Sequence, residues 1–322
     1  MLVLALLAGL VPGLVQAAPA SLDRRDAAPT AVSLSSIRAT FSPAAIFARM
    51  AYCETTAVAA MNCGTPCDAV DAIGAVVTQL GGDGSATPFY YVASGKDGVL
   101  YVAHEGTDPI HLYAALVRSS FQPLILGCSE SVLNDAELEL TPANKSFFPA
   151  AKAANVHSGF QQTFIRTASA ILAAAESAVR GGTTEVVVTG HSLGAALATM
   201  TGAYLRSSLP SSVHVRVVGF GMPRSGDQAW ADYVDATVPV TFLNNQHDPV
   251  PDLPFIDWGY HHSSGEVHIT GDPSADFVAC PGQDNPSSEC STDNGLDISI
   301  LNHLGPYFDD ISFGTLECAF SL

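Results

Sequence analysis

The stretch Glu185-Val186-Val187-Val188-Thr189-Gly190-His191-Ser192-Leu193-Gly194-Ala195-Ala196-Leu197-Ala198 decides the architecture of this chain. A β-branched run leads into a G-x-S-x-G pentapeptide, and an alanine-rich helix former follows. A serine on so sharp a strand-to-helix corner is forced into a strained backbone conformation. Its hydroxyl is pushed out over the edge of the sheet. Gly190 and Gly194 remove the Cβ atoms that would otherwise collide in the turn. Ser192 is therefore the candidate nucleophile.

Regular elements are predicted on both sides of this corner. Phe160, Phe164, Ile165, Ala168, Leu172 and Val179 repeat at helical spacing over residues 158–180, and Gly181-Gly182 ends that helix. Residues 213–220 read as a β-branched strand, 227–235 as a helix and 238–243 as another strand. Upstream, residues 89–92 and 99–103 form an antiparallel hairpin around a Gly95–Gly98 turn. A helix is expected to begin at Ser42, which can cap it, with Pro43 in its first turn and Phe41 and Ile46 as a hydrophobic staple. Residues 19–40 read as a loose segment, and the chain beyond His262 as loops rich in Pro, Gly, Asn and Ser. Helices alternating with buried strands predict an α/β fold. Its central, mostly parallel sheet is flanked by helices on both faces, in one domain over residues 41–322.

A serine hydroxyl attacks only when an imidazole takes its proton, and the imidazole needs an acid to hold its tautomer and stabilise its charged form. On a corner of this kind the order along the chain is Ser, acid, His, and the groups gather outside the carboxyl ends of the strands. Asp248 follows the strand over residues 238–243 and is the candidate acid, with Asp252 and Asp257 as rivals further into the same loop. His261, His262, His268 and His303 are the downstream histidines. His303 is the candidate base. It follows a long loop that can swing back over the sheet, and Gly305-Pro306 argues against its burial in a helix or strand.

A tetrahedral intermediate requires backbone N–H donors, and the amide after the nucleophile, that of Leu193, supplies one. Thr107, in the His104-Glu105-Gly106-Thr107-Asp108-Pro109 turn, is the candidate for the second. Asp108 can cap, and Pro109 can start, a short helix with Ile110, Tyr113, Ala114, Val117 and Phe121 on one face and Leu112 and Leu116 on another. Apolar on both faces and next to an oxyanion loop, it suits a short helical lid over an apolar cleft. Ile110, Leu112, Tyr113, Leu116 and Val117 are then the substrate-binding candidates. This chemistry needs no metal and no organic cofactor.

The bulk properties narrow the partners. The 322 residues carry a formal charge of −18, with few and scattered basic residues. That argues against nucleic acid and against anionic membranes, both of which need a basic footprint. Residues 1–18 read as a signal peptide, with an apolar run over 2–15 and small residues at Ala17-Ala18, too short for a bilayer span. Arg24-Arg25 would end a short prosegment at residue 25. Seven cysteines in a secreted chain imply disulfides with one thiol left over, and the sequence alone leaves the pairing open. Cys63 and Cys67 lack a second ligand pair at zinc-like spacing. Asn144-Lys145-Ser146 is the only N-glycosylation sequon, since Asn285 is followed by Pro286.

Taken with Tyr52-Cys53, Asn62-Cys63, Pro66-Cys67-Asp68, Val156-His157-Ser158-Gly159-Phe160, Gly221-Met222-Pro223-Arg224-Ser225-Gly226-Asp227 and His262-Ser263-Ser264-Gly265-Glu266, the chain resembles the secreted fungal class 3 lipases. The resemblance covers nearly everything after residue 41. It implies an α/β-hydrolase fold, a catalytic Ser192, Asp248 and His303, and an oxyanion hole at Thr107 and Leu193. It also implies disulfides Cys53–Cys318, Cys63–Cys67 and Cys280–Cys290, with Cys128 unpaired. The implied activity is extracellular hydrolysis of acylglycerol esters, triacylglycerol foremost, by a monomer working at an oil–water interface. The chain departs from many relatives at His104-Glu105-Gly106, where they have an Arg-Gly pair, and at Val267-His268, where an aromatic pair is common. Feruloyl and other soluble-ester hydrolases share the architecture, but in them the lid-like segment resembles a polar flap. A non-catalytic carrier of apolar ligands is the alternative of another class, disfavoured by the intact Ser, Asp and His.

Overall fold

The computed structural model describes residues 27–84, 87–107, 138–293 and 298–318. The expected signal peptide, the prosegment boundary, the lid residues Ile110, Leu112, Tyr113, Leu116 and Val117, and Cys128 lie outside the described residues.

The strands are β1 (Thr30–Ala31), β2 (Val76–Gly81), β3 (Tyr90–Ser94), β4 (Val99–His104), β5 (Leu140–Pro142), β6 (Asn155–His157), β7 (Glu185–His191), β8 (His214–Phe220), β9 (Gly226–Asp227), β10 (Val240–Asn245), β11 (Tyr260–His261), β12 (Glu266–Ile269) and β13 (Phe277–Cys280). The helices are α1 (Leu34–Met50), α2 (Thr55–Ala59), α3 (Thr65–Ala72), α4 (Ser158–Arg180), α5 (Leu193–Ser208), α6 (Gln228–Thr237) and α7 (Ile300–Leu304). Among the described residues the main sheet runs β1-β13-β12-β10-β8-β7-β4-β3-β2. Its centre, from β4 through β7, β8 and β10 to β12, is parallel, and the flanking pairs are antiparallel. A small antiparallel sheet, β11-β9-β6-β5, lies apart from it.

Alternation along β7 divides the core in two. Val186 and Val188 pack with Phe164, Ile171, Leu197 and Trp230 on the face covered by α4, α5 and α6. Val187 packs with Phe41, Phe47, Tyr91 and Tyr101 on the face covered by α1. A central strand buried on both faces reads as an unbroken apolar run, as residues 186–188 do.

Three expectations change. The first helix starts at Leu34, capped by the Ser33 hydroxyl accepting from the Ser36 amide at 3.2 Å, so Pro43 lies inside it and not in its first turn. The lost amide at Pro43 is outweighed by the burial of Ile37, Phe41, Ala44, Ala45, Phe47 and Ala48 on one face. The segment 19–40 is accordingly not loose throughout: residues 34–40 are helical and β1 pairs with β13. The chain beyond His262 is not all loop either. β12 joins β10 in parallel register and β13 folds back on it. Its short strands pass for loop in a stretch rich in turn residues, yet each is paired on both sides within the sheet, β12 by β10 and β13, and β13 by β12 and β1.

The chain is cross-linked at Cys53–Cys318, Cys63–Cys67 and Cys280–Cys290, with Cα separations of 5.5, 5.2 and 6.0 Å. These are the pairs that the resemblance implies. Asn144 of the sequon lies half-buried just past β5, where its Oδ1 accepts the Ser146 amide at 2.9 Å.

Candidate active site

Ser192 has φ 58° and ψ −131°, a left-handed backbone that non-glycine residues adopt at a cost of about 1–3 kcal/mol. Its amide donates to Phe220 O at 2.9 Å, which ties the corner to the end of β8. A Cβ on Gly190 would overlap the Gly194 carbonyl, and one on Gly194 would overlap the carbonyls of His104 and Glu105. The glycines are therefore imposed by close packing of the corner against itself and against the end of β4. That packing brings Glu105 and Gly106, which precede the Thr107 candidate, against the serine corner and the first turn of α5, whose leading amides lack intrahelical partners. Leu193 is the first residue of that helix.

Asp248 is buried in the loop beyond β10, where its Oδ1 accepts the Val250 amide at 2.9 Å. Its Oδ2 meets His303 Nδ1 at 2.8 Å. A carboxylate only accepts, so Nδ1 carries the proton and Nε2 has its lone pair free to act as a base. His303 Nε2 is buried without a hydrogen-bond partner, so the bridge to Ser192 is not closed in this structure. Such bonds tighten only when substrate is bound. His303 sits in α7 and is fully buried, contrary to the expectation from Gly305-Pro306. The helix is a single turn that ends at Gly305, so the two residues stop it without preventing it.

Gly221, unremarked in sequence except as part of a turn motif, forms the floor of the Asp–His pair. A Cβ there would lie 2.9 Å from Asp248 Oδ2 and 2.9 Å from His303 Nδ1 and Cε1. Its φ of +49° also favours glycine.

The rival residues are engaged elsewhere. His261 Nδ1 bonds Asp284 at 3.0 Å, His262 Nε2 meets Pro251 O at 2.8 Å, and both ring nitrogens of His268 meet backbone carbonyls. Asp257 is exposed, and Asp252 lies 3.9 Å from the Arg224 guanidinium. Arg224 is only 2% exposed. It donates through Nε to Asp284 at 2.9 Å and through Nη1 to the carbonyls of Asp252 and Pro254, clamping the loop that follows Asp248. Burial would push the Asp284 carboxyl up, but hydrogen bonding by His261 and the charges of His262 and Arg224 hold it well below the usual range. A cleft of about 330 Å3 opens on this loop beside Arg224, Phe255 and Trp258; Ser192, Asp248 and His303 do not line it.

Among the described residues, Glu266, Cys280 and Cys290 bring metal-type ligand atoms together, but both sulfurs are tied in one disulfide, which removes the thiolates a metal would need. No helix among the described residues is long and apolar enough to cross a membrane.

The model of the family "Lipase (class 3)" matches residues 128–258. A secreted mono- and diacylglycerol lipase of Malassezia globosa is 34% identical over 182 residues, which are 55% of this chain and 57% of that protein. A secreted mono- and diacylglycerol lipase of Fusarium solani is 33% identical over 166 residues, 49% of this chain and 47% of that one. The chain thus spans about half the length of the curated relatives it matches. In fold, the Rhizomucor miehei lipase in its propeptide complex superposes with a TM-score of 0.68 at 24% identity, covering 89% of this chain and 84% of that one. Lipase II from Rhizopus niveus superposes with a TM-score of 0.71 at 23% identity, covering 89% and 99%. The parallel sheet with its strand–serine–helix corner is therefore an α/β-hydrolase fold. Over residues 128–258, the chain is similar to the class 3 lipase family.

Proposed function

We propose that this protein is a secreted lipase that hydrolyses ester bonds of acylglycerols through a serine-bound acyl intermediate. The observation that carries the proposal is the buried His303–Asp248 pair at 2.8 Å, with Nε2 unengaged, beside the strained Ser192 corner. Ser192 Oγ attacks the ester carbonyl while His303 Nε2 takes its proton, and Asp248 stabilises the resulting imidazolium. The Leu193 and Thr107 amides receive the developing oxyanion. His303 returns the proton to the departing alcohol, and water then attacks the acyl-enzyme by the same route to release the fatty acid. No step calls for a metal or an organic cofactor.

The acylglycerol substrate and secretion are supported by the names of the relatives. Triacylglycerol is the substrate favoured by the apolar composition of residues 110–121, and an oil–water interface is where such a substrate is met. We take the protein to act as a monomer.

The test is Ser192→Ala, assayed on emulsified triacylglycerol, on mono- and diacylglycerol micelles and on a soluble feruloyl ester. Loss of all hydrolysis with an unchanged fold is expected. Full activity in the variant overturns the mechanism, and a wild-type preference for the feruloyl ester overturns the lipid substrate. Stoichiometric organophosphate labelling of Ser192 is expected, and its absence would favour a non-catalytic carrier.

A further inference from the structure

We propose that His191, the residue before the nucleophile, is a positioning residue: together with Tyr52 it holds His303 in place from the backbone side. The proposal rests on the serine-hydrolase assignment above.

Helix α7 is a single turn, so the His303 carbonyl lies among its last carbonyls, which find no partner within the helix. That carbonyl is met by His191 Nε2 at 2.7 Å and by the Tyr307 hydroxyl at 3.2 Å. A carbonyl can only accept, so Nε2 of His191 carries the proton. Its Nδ1 then accepts the Tyr52 hydroxyl at 2.6 Å. The two bonds fix one tautomer, and the ring lies flat on Phe313, with centroids 4.5 Å apart and planes 7° from parallel. Its other neighbour is the imidazole of His303, with centroids 4.3 Å apart.

Tyr52 reaches one step further. Its hydroxyl sits so close to Gly106 that a Cβ there would overlap both it and the His191 carbonyl. The Tyr52–His191 pair therefore touches the nucleophile corner, the helix of the base and the oxyanion loop at once. The titratable groups around His191 are Tyr52, Tyr307 and His303, with Asp248 beyond the last. Burial, and secondarily the nearby His303, hold His191 far below the ordinary histidine value. A neutral ring adds no repulsion when His303 becomes an imidazolium during turnover.

The test uses His191→Phe, which keeps the aromatic stack and loses both hydrogen bonds, and Tyr52→Phe, which loses one hydroxyl. Rates are expressed per active site titrated with an organophosphate, on a soluble ester. His191→Phe is expected to lower kcat on the order of 10²-fold with little change in KM, since misplacement of a reacting group by about 1 Å costs that much. Organophosphate labelling should slow in proportion, and Tyr52→Phe should fall in the same direction by less. A purely structural role would lower Tm and leave kcat per titrated site intact. A folded His191→Phe with kcat within about twofold of the parent overturns the proposal. If that variant does not fold, an unchanged kcat in Tyr52→Phe overturns it. Ser192→Ala run in parallel separates the two ideas. Activity there defeats the hydrolase assignment, whereas an inactive Ser192→Ala beside a normal His191→Phe defeats this proposal alone.

Discussion

Asp248 Oδ2 accepts the Nδ1–H of His303 at 2.8 Å, and both side chains are only 1% exposed. No solvent competes for the bond, so the carboxylate alone decides which ring nitrogen is protonated. Asp248→Asn offers an amide in its place and lets the ring adopt the opposite tautomer. We expect kcat to fall by roughly 10³–10⁴ with the fold intact, as loss of the orienting carboxylate does in serine hydrolases. Steady-state kinetics on a soluble ester, with circular dichroism as a control, check this. A loss below about tenfold would remove Asp248 from its role.

Gly221 fixes how closely the pair can lie against the β8 corner. Gly221→Ala places a methyl 2.9 Å from both Asp248 Oδ2 and His303 Nδ1, at a residue with φ +49°. Either the carboxylate or the ring must move. kcat is expected to drop on the order of 10²-fold, and stability by about 1–3 kcal/mol from the strained backbone. Kinetics and urea denaturation measure the two separately. A variant equal to wild type in both would show that the pair tolerates displacement.

Acid should destabilise the fold well above the carboxylate range. Burial holds His104 down to about 3 and His157 down to about 4, against 6.5 when exposed. As pH falls below about 6.5 the unfolded chain takes up protons at these positions and the folded protein does not. Their effect on stability is therefore nil above that range and unfavourable below it. Each histidine costs about 1.4 kcal/mol per pH unit until its own folded value is reached. Tm measured from pH 7.5 to 5 should decline, and His104→Gln should make the decline shallower. A Tm that is flat over that window would contradict the burial of these rings as neutral groups. Asp284, held low, adds a loss only at still lower pH.

Arg224 is the countercharge of a buried carboxylate and the strap on the loop behind Asp248. Arg224→Ala leaves Asp284 buried with His261 as its remaining ring partner and frees the Asp252 and Pro254 carbonyls. Removing one member of a buried ion pair costs about 3–5 kcal/mol. Guanidinium unfolding should register a loss of that size, together with a lower kcat from the loosened acid loop. A change under about 1 kcal/mol would mean that the loop is held by other contacts.

The corner at Ser192 was legible because everything that makes it is local. Three valines, two glycines and a run of alanines specify strand, turn and helix within fourteen residues. Asp248 was legible for a similar reason, as the first acid beyond a strong strand. The start of the first helix is not legible in the sequence because Pro43 resembles a start signal, and only burial of the α1 face against the sheet shows that the helix runs through it. β12 and β13 are not legible in the sequence because a four-residue strand has too little periodicity; β12 exists only in register with β10, and β13 only in register with β12 and β1.

The sequence by itself determined the fold class and the serine corner, and it singled out Asp248 and His303 as candidates downstream of it. The tertiary structure alone decided that residue 303 is buried in a helical turn, that Gly221 lies beneath it and that Tyr52 and His191 grip its carbonyl. Those partners are 82 to 251 residues from His303 along the chain. Local propensity acts over a few residues, whereas contacts at that range are selected by how two faces of one sheet pack.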